Sequence, residues 1–178
     1  MSVSAVRDDV FGDDWWIDTH KSFVAESKDK EPDALFIGDS HIALLEHTEV
    51  YKELFAPLHC LCFGIVNDTT SNLLWRIENG ELDEVKPKVI VLSIGSCNVA
   101  SSPDEVLNGV CACVQLIKRK QPQAQLFVLK LFPSGKKPNA RRELIRQVNH
   151  QLVARVAEFD STKVLDVDPG FICTFTSF

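Results

Sequence analysis

The chain has 178 residues, 45% of them hydrophobic, with 19 Lys and Arg against 25 Asp and Glu for a net charge of −6. That length suits one domain with a sizeable core, and the acidic balance excludes the excess positive charge with which a generic nucleic-acid surface displaces counterions. No window approaches the roughly 20 apolar residues of a membrane span, and the opening "MSVSAVRDDVFGDDWW" has no basic start followed by an apolar leader, so a cytoplasmic protein is expected.

Residues 1–33 read as an N-terminal arm, acidic and interrupted by Trp15, Trp16 and Phe23, whose aromatics pack it on the domain. The first strand is Ala34 to Asp39, "ALFIGD", followed by an apolar-faced helix start with Ser40 at the corner. Leu58 to Gly64 gives a second strand, and Leu73, Leu74 and Ile77 mark a short helix that Gly80 terminates. "KVIVLSIG", Lys88 to Gly95, is too continuously apolar to have a solvated face, as a central parallel strand should be. Ser102-Pro103-Asp104-Glu105 carries a serine cap, a proline at the first helical position and a glutamate placed to bond back to the cap amide. The helix it starts should bury Val106, Val110, Cys113, Val114 and Ile117. A fourth strand, Gln125 to Phe132, precedes a helix over Ala140 to Phe159 with Leu144, Val148, Leu152 and Val156 inward. Arg141, Arg142, Arg146 and Arg155 of that helix read as a solvated face. Thr162 to Asp168 completes five strands. This alternation predicts an α/β fold, a parallel sheet wrapped by helices in three layers.

Six cysteines, Cys60, Cys62, Cys97, Cys111, Cys113 and Cys173, show no paired zinc spacing, so reduced thiols are expected; the two C-x-C pairs, Cys60/Cys62 and Cys111/Cys113, lie in apolar surroundings and read as small buried thiols, and no metal or cofactor is called for. In an open parallel sheet ligands bind beyond the carboxyl ends of the strands. Here those ends read Gly38-Asp39-Ser40, Gly64-Ile65-Val66-Asn67-Asp68, Gly95-Ser96-Cys97-Asn98, Pro133-Ser134-Gly135 and Asp166-Val167-Asp168-Pro169-Gly170. None carries a glycine-rich phosphate loop. A serine before a helix is an ordinary N-cap, but at a strand-to-helix corner it also sits where helix amides can stabilise an oxyanion.

"FIGDS" resembles the first block of the SGNH or GDSL hydrolases. With "FVAESKDKEPDALFIGDS", "ELFAPLHCLCFGI", "LLWRIENGELDEVKPKVIVL", "VQLIKRKQPQAQLFVL" and "LDVDPGF", the chain from about Gly12 to about Phe171 resembles the alpha (catalytic) subunits of intracellular platelet-activating factor acetylhydrolase Ib. The resemblance implies a flavodoxin-like five-stranded sheet over residues 34–171. It also implies hydrolysis of a short acetyl ester, a homodimer or a heterodimer with another alpha subunit, and binding to the lissencephaly WD-repeat protein of the dynein pathway. Neither nucleic acid nor a membrane span is expected.

Carried over by position, Ser40 falls on the family's nucleophile and Asp39 on a structural carboxylate. The family's Gly-Gly-Asp turn is Val66-Asn67-Asp68 here: Asn67 tolerates a left-handed backbone and keeps its amide N–H, whereas branched Val66 would resist a glycine-only conformation. The family's Gly-Thr-Asn-Asn block is Gly95-Ser96-Cys97-Asn98, so Cys97 offers a weak S–H at the side-chain donor's position and Asn98, adjacent, points elsewhere. The family's Asp-x-x-His block beyond the fifth strand has no counterpart: the chain departs after Phe171, residues 172–178 form a divergent tail, and the family's last helix is not represented. None of His20, His41, His47, His59 and His150 follows an aspartate at that spacing, and His41 is read as a surface or cap residue. Base and orienting carboxylate are therefore not assigned to any residue. The leading expectation is a degenerate subunit that binds rather than hydrolyses. The alternatives are an acetyl-ester hydrolase with a borrowed base and, outside the resemblance, a small-molecule binder holding an anion near Ser40 and Asn98.

Overall fold

The computed structural model describes residues 3–28 and 30–167. Its elements run α1 (Trp15–Ser27), β1 (Ala34–Gly38), α2 (Ser40–Leu45), α3 (Glu49–Leu54), β2 (Leu61–Gly64), α4 (Thr70–Arg76), β3 (Val89–Ser93), α5 (Pro103–Lys120), β4 (Gln125–Leu129), α6 (Ala140–Val156) and β5 (Thr162–Leu165). All five strands are parallel, in the order β2-β1-β3-β4-β5. The strands are one to three residues shorter than their apolar runs where the chain turns off the ladder before the hydrophobic pattern ends. Leu58 sits in a 3-10 turn that ends at left-handed His59, which delays β2 to Leu61. Asp168, the expected end of the last strand, and Cys173 lie outside the described residues, as does the 172–178 tail.

Helices cover both faces of the sheet. On one face Leu35, Ile37, Phe63, Ile90, Leu92, Leu126 and Val128 meet α4, α5 and α6 in a single apolar core. Each fully buried aliphatic side chain there contributes about 1.5–3 kcal/mol relative to exposure. The expected inward positions of α5 are all buried, and its capping box forms, with Ser102 Oγ accepting from Glu105 N–H and Glu105 accepting from Ser102 N–H. On the other face Phe36, Cys62 and Val91 pack against Ile42 and Leu45 of α2, Tyr51 of α3 and Phe55 at the end of α3.

α1 docks through Phe23, stacked on Phe63 at 4.8 Å, and through buried Trp16, whereas Trp15 points to solvent at 47% exposure. Of the two tryptophans expected to pack the arm, only one does so, because consecutive helix positions cannot both face the core.

Two close approaches set the corner where β1 becomes α2. A Cβ on Gly38 would lie 1.9 Å from the Ser93 carbonyl oxygen, and one on Gly64 would lie 2.2 Å from the Ala43 amide nitrogen. Glycine at both positions lets β1, β2, β3 and the first turn of α2 converge, which brings three loops to one crevice. In this strand order the chain leaves β1 toward opposite sides, so the crevice outside β1 and β3 is the expected ligand site.

Candidate active site

Ser40 is the first residue of α2, and the N-cap is Asp39, not the serine. The Asp39 carboxylate is fully buried and fastens the crevice. Its Oδ1 accepts from the His41 N–H at 3.1 Å, and its Oδ2 accepts from the Ser96 hydroxyl at 2.7 Å and the Ser96 N–H at 3.3 Å. Freed from capping, Ser40 Oγ accepts a 2.8 Å bond from the Asn67 N–H and lies 3.7 Å from Cys97 Sγ.

Asn67 takes the left-handed conformation, φ 64°, while Val66 does not. The strain expected at the branched residue is therefore absent, because only one position of this turn needs positive φ. Cys97 is half-buried between two hydroxyls, 3.6 Å from Ser96 Oγ as well as 3.7 Å from Ser40 Oγ. Asn98 turns away: its Oδ1 accepts from the Thr70 N–H and its Nδ2 donates to Thr70 Oγ1, both at 3.1 Å, so its amide holds the start of α4.

Among the described residues no imidazole reaches Ser40. His41, its neighbour in sequence, directs Nδ1 to Asp39 Oδ1 at 3.3 Å and packs its ring 4.8 Å from Phe132. His20 is buried behind α4, and His47, His59 and His150 are exposed elsewhere. The arginines of α6 are not simply a solvated face. Arg141 donates to the Ser96 carbonyl, and Arg142 donates to the carbonyls of Ser134 at 3.2 Å and Gly135 at 2.5 Å. Arg155 reaches Asn108, and Arg146 pairs on the surface with Glu143. Long guanidinium arms satisfy loop carbonyls that helical periodicity does not reveal. A cavity of about 610 Å³ lies beside α6, lined in part by Lys130, Pro133, Asn149 and Asp166; it includes none of Ser40, Asn67 or Cys97.

Beneath the Asn67 turn lies a buried ionic cluster that the hydrophobic pattern concealed. Arg76, fully buried, places Nε 3.0 Å from Asp68 Oδ2 and Nη1 3.3 Å from Glu81 Oε1, and donates to the carbonyls of Phe63 and Gly38 at 3.2 Å. Trp16 Nε1 donates to Asp68 Oδ1 at 2.6 Å, and His20 Nδ1 lies 3.1 Å from Glu81 Oε1. Two carboxylates face one guanidinium, and burial pushes the Asp68 carboxyl up to about 6 against the opposing pull of Arg76 and Trp16. The cysteines divide: Cys62, Cys111 and Cys113 are buried, with burial pushing Cys62 and Cys113 up to about 12, whereas Cys97 is partly open and so is Cys60, against the burial expected of its C-x-C pair.

The all-parallel sheet with this strand order and a serine at the first strand-to-helix corner define a three-layer α/β fold of the GDSL/SGNH hydrolase type. A GDSL-like lipase from Bacteroides thetaiotaomicron superposes with a TM-score of 0.67 at 14% identity, covering 83% of this chain and 77% of that one. No protein-family model matches the chain. In sequence it is 48% identical over 171 residues to platelet-activating factor acetylhydrolase IB subunit alpha2 of Gallus gallus, covering 96% of this chain and 75% of the relative. It is 48% identical over 164 residues to subunit alpha1 of Rattus norvegicus, covering 92% and 71%. The chain belongs to the platelet-activating factor acetylhydrolase Ib alpha-subunit family, which removes the reading of an unrelated small-molecule binder.

Proposed function

We propose that this chain is an alpha-type subunit that keeps the nucleophile's corner but hydrolyses acetyl esters poorly or not at all by itself, and that it acts by binding other subunits. The observation that carries this reading is Cys97 Sγ at 3.7 Å from Ser40 Oγ, beside the Asn67 N–H, at the position where the family places a side-chain amide. Replacing one oxyanion donor by a weak S–H costs ~10²–10³-fold. Asn67 would remain the backbone donor and Ser40 the nucleophile position, Asp39 a structural carboxylate, and Asn98 a structural amide near the site. The proposed partners are a second copy or another alpha subunit and, by family resemblance, the lissencephaly WD-repeat protein; the proposed setting is the cytoplasm. No helix among the described residues is long and apolar enough to cross a membrane.

The test is acetyl-ester turnover and fluorophosphonate labelling of the purified chain. Rates matching Ser40→Ala and no labelled Ser40 are expected; stoichiometric labelling overturns the proposal. A second reading is favoured by the preserved Ser40–Asn67 bond: a hydrolase of an sn-2 acetyl group whose base comes from a partner chain. Mixing with an active alpha subunit then produces Ser40-dependent turnover, and its absence ends that reading.

A further inference from the structure

The arm that precedes α1 grips the Asn67 turn from both sides. Its start is clipped to α4, with the Ala5 N–H donating to the Ser71 carbonyl and Asn72 Nδ2 donating to the Ala5 carbonyl, both at 3.1 Å. Arg7 Nη1 then donates to the Val66 carbonyl at 2.6 Å. The chain folds through a turn in which the Asp9 carboxylate accepts the amides of Gly12, Asp13 and Asp14, and enters α1 so that Trp16 reaches Asp68. Residues 66 and 68 are thus each tied to the arm, and Asn67 lies between them.

The Val66 carbonyl and the Asn67 N–H belong to one peptide unit, which is planar and trans, so the two groups point in opposite directions. A carbonyl fixed toward Arg7 therefore fixes the N–H toward the far side of the plane, where Ser40 Oγ accepts it at 2.8 Å. The neighbouring φ of 64° at Asn67 is sparsely populated outside glycine, and a turn with one such residue can relax by rotating this peptide plane. Asp68 cannot follow such a rotation, because Trp16 and Arg76 hold its carboxylate in a fully buried place.

We propose that Arg7 and Trp16 are positioning residues: together they lock the Val66–Asn67 peptide plane so that its N–H faces Ser40. The orientation stands on its own, while its use as an oxyanion donor rests on the reading of Ser40 as the nucleophile position. Arg7 acts through the carbonyl and Trp16 through Asp68, so neither touches a reacting atom.

Amide hydrogen exchange of the full chain, followed by NMR, tests this. In Arg7→Ala the Asn67 N–H is expected to exchange about tenfold faster, the equilibrium worth of one hydrogen bond, while Ile37 and Leu92 in β1 and β3 are unchanged. Arg7→Lys, which restores a donor to the carbonyl, should recover most of the protection. In a Ser40→Ala background, where the acceptor is gone, Arg7→Ala should add nothing. Trp16→Phe provides a second route to the same acceleration, with exposed Trp15→Phe as the control. Asn67 exchange equal to wild type in both Arg7→Ala and Trp16→Phe overturns the proposal, as does a rise shared with Ile37 and Leu92, which would mean general loosening. Fluorophosphonate labelling of Ser40 reports separately on the catalytic reading, so either can fail while the other holds.

Discussion

Replacing Asp68 by Asn isolates the buried cluster. In the wild type, burial moves this carboxyl from 3.8 to about 6, so the fold favours its protonated form. A group raised in the folded state contributes stability that is complete below its unfolded pKa and is lost as pH climbs through the folded value. At about 1.36 kcal/mol per pKa step the rise corresponds to about 3 kcal/mol, withdrawn mostly between pH 4 and 6. Asp68→Asn keeps an oxygen for the Trp16 N–H and leaves Arg76 balanced by Glu81, so the variant should lack that slope. Urea denaturation from pH 4 to pH 8 measures it: the stability of the variant relative to wild type should improve by roughly 3 kcal/mol across the window. Asp9, Asp33 and Glu105, whose carboxyls are lowered by amide or lysine donors, act at lower pH and cancel in the difference. Parallel pH profiles for the two proteins would refute the reasoning.

Arg76→Met strands two buried carboxylates, and a loss of about 3–5 kcal/mol is expected in denaturant unfolding. A loss under about 1 kcal/mol would show that solvent reaches the cluster. Gly64→Ala drives a Cβ to 2.2 Å from the Ala43 amide nitrogen, so soluble protein with native circular dichroism should not be recovered. Asn67→Gly relieves a left-handed backbone and should change stability by less than about 1 kcal/mol while leaving the amide donor, measured by thermal unfolding. Cys97→Asn restores a side-chain amide beside Ser40; if a partner chain supplies the base, turnover in the mixed dimer should rise by about 10²-fold or more.

The strands and the apolar faces of α5 and α6 were legible because burial on both sides of a sheet and helical spacing each leave a direct pattern in the residues. Ser40, Asn67 and Cys97 were singled out by the resemblance to the family's sequence blocks, and they meet because all three stand at strand ends, which converge in a parallel sheet. Arg76 could not be read, since a charged residue within "LLWRIENGEL" looks solvent-exposed until Asp68 and Glu81, the latter paired with His20 of the arm, are seen to close around it. His20 shows the same blindness from the other side: a polar residue on an acidic, aromatic arm gives no sign that α1 will bury it at 4% exposure. The reach of Arg141 and Arg142 in α6 could not be read because their partners are loop carbonyls, which carry no signature in side-chain sequence.

The bond from Ser96 to Asp39 has a consequence for how such a site can change over time. It closes the crevice between the first and third strands through position 96 and a backbone amide, while position 97, the next residue along, contributes its side chain to the interior of the cleft. Architecture and chemistry are thus assigned to adjacent but separate residues. The side chain at 97 can therefore be exchanged without loosening the joint that keeps the strands level, so the chemistry of the cleft can be altered there without the fold being rebuilt.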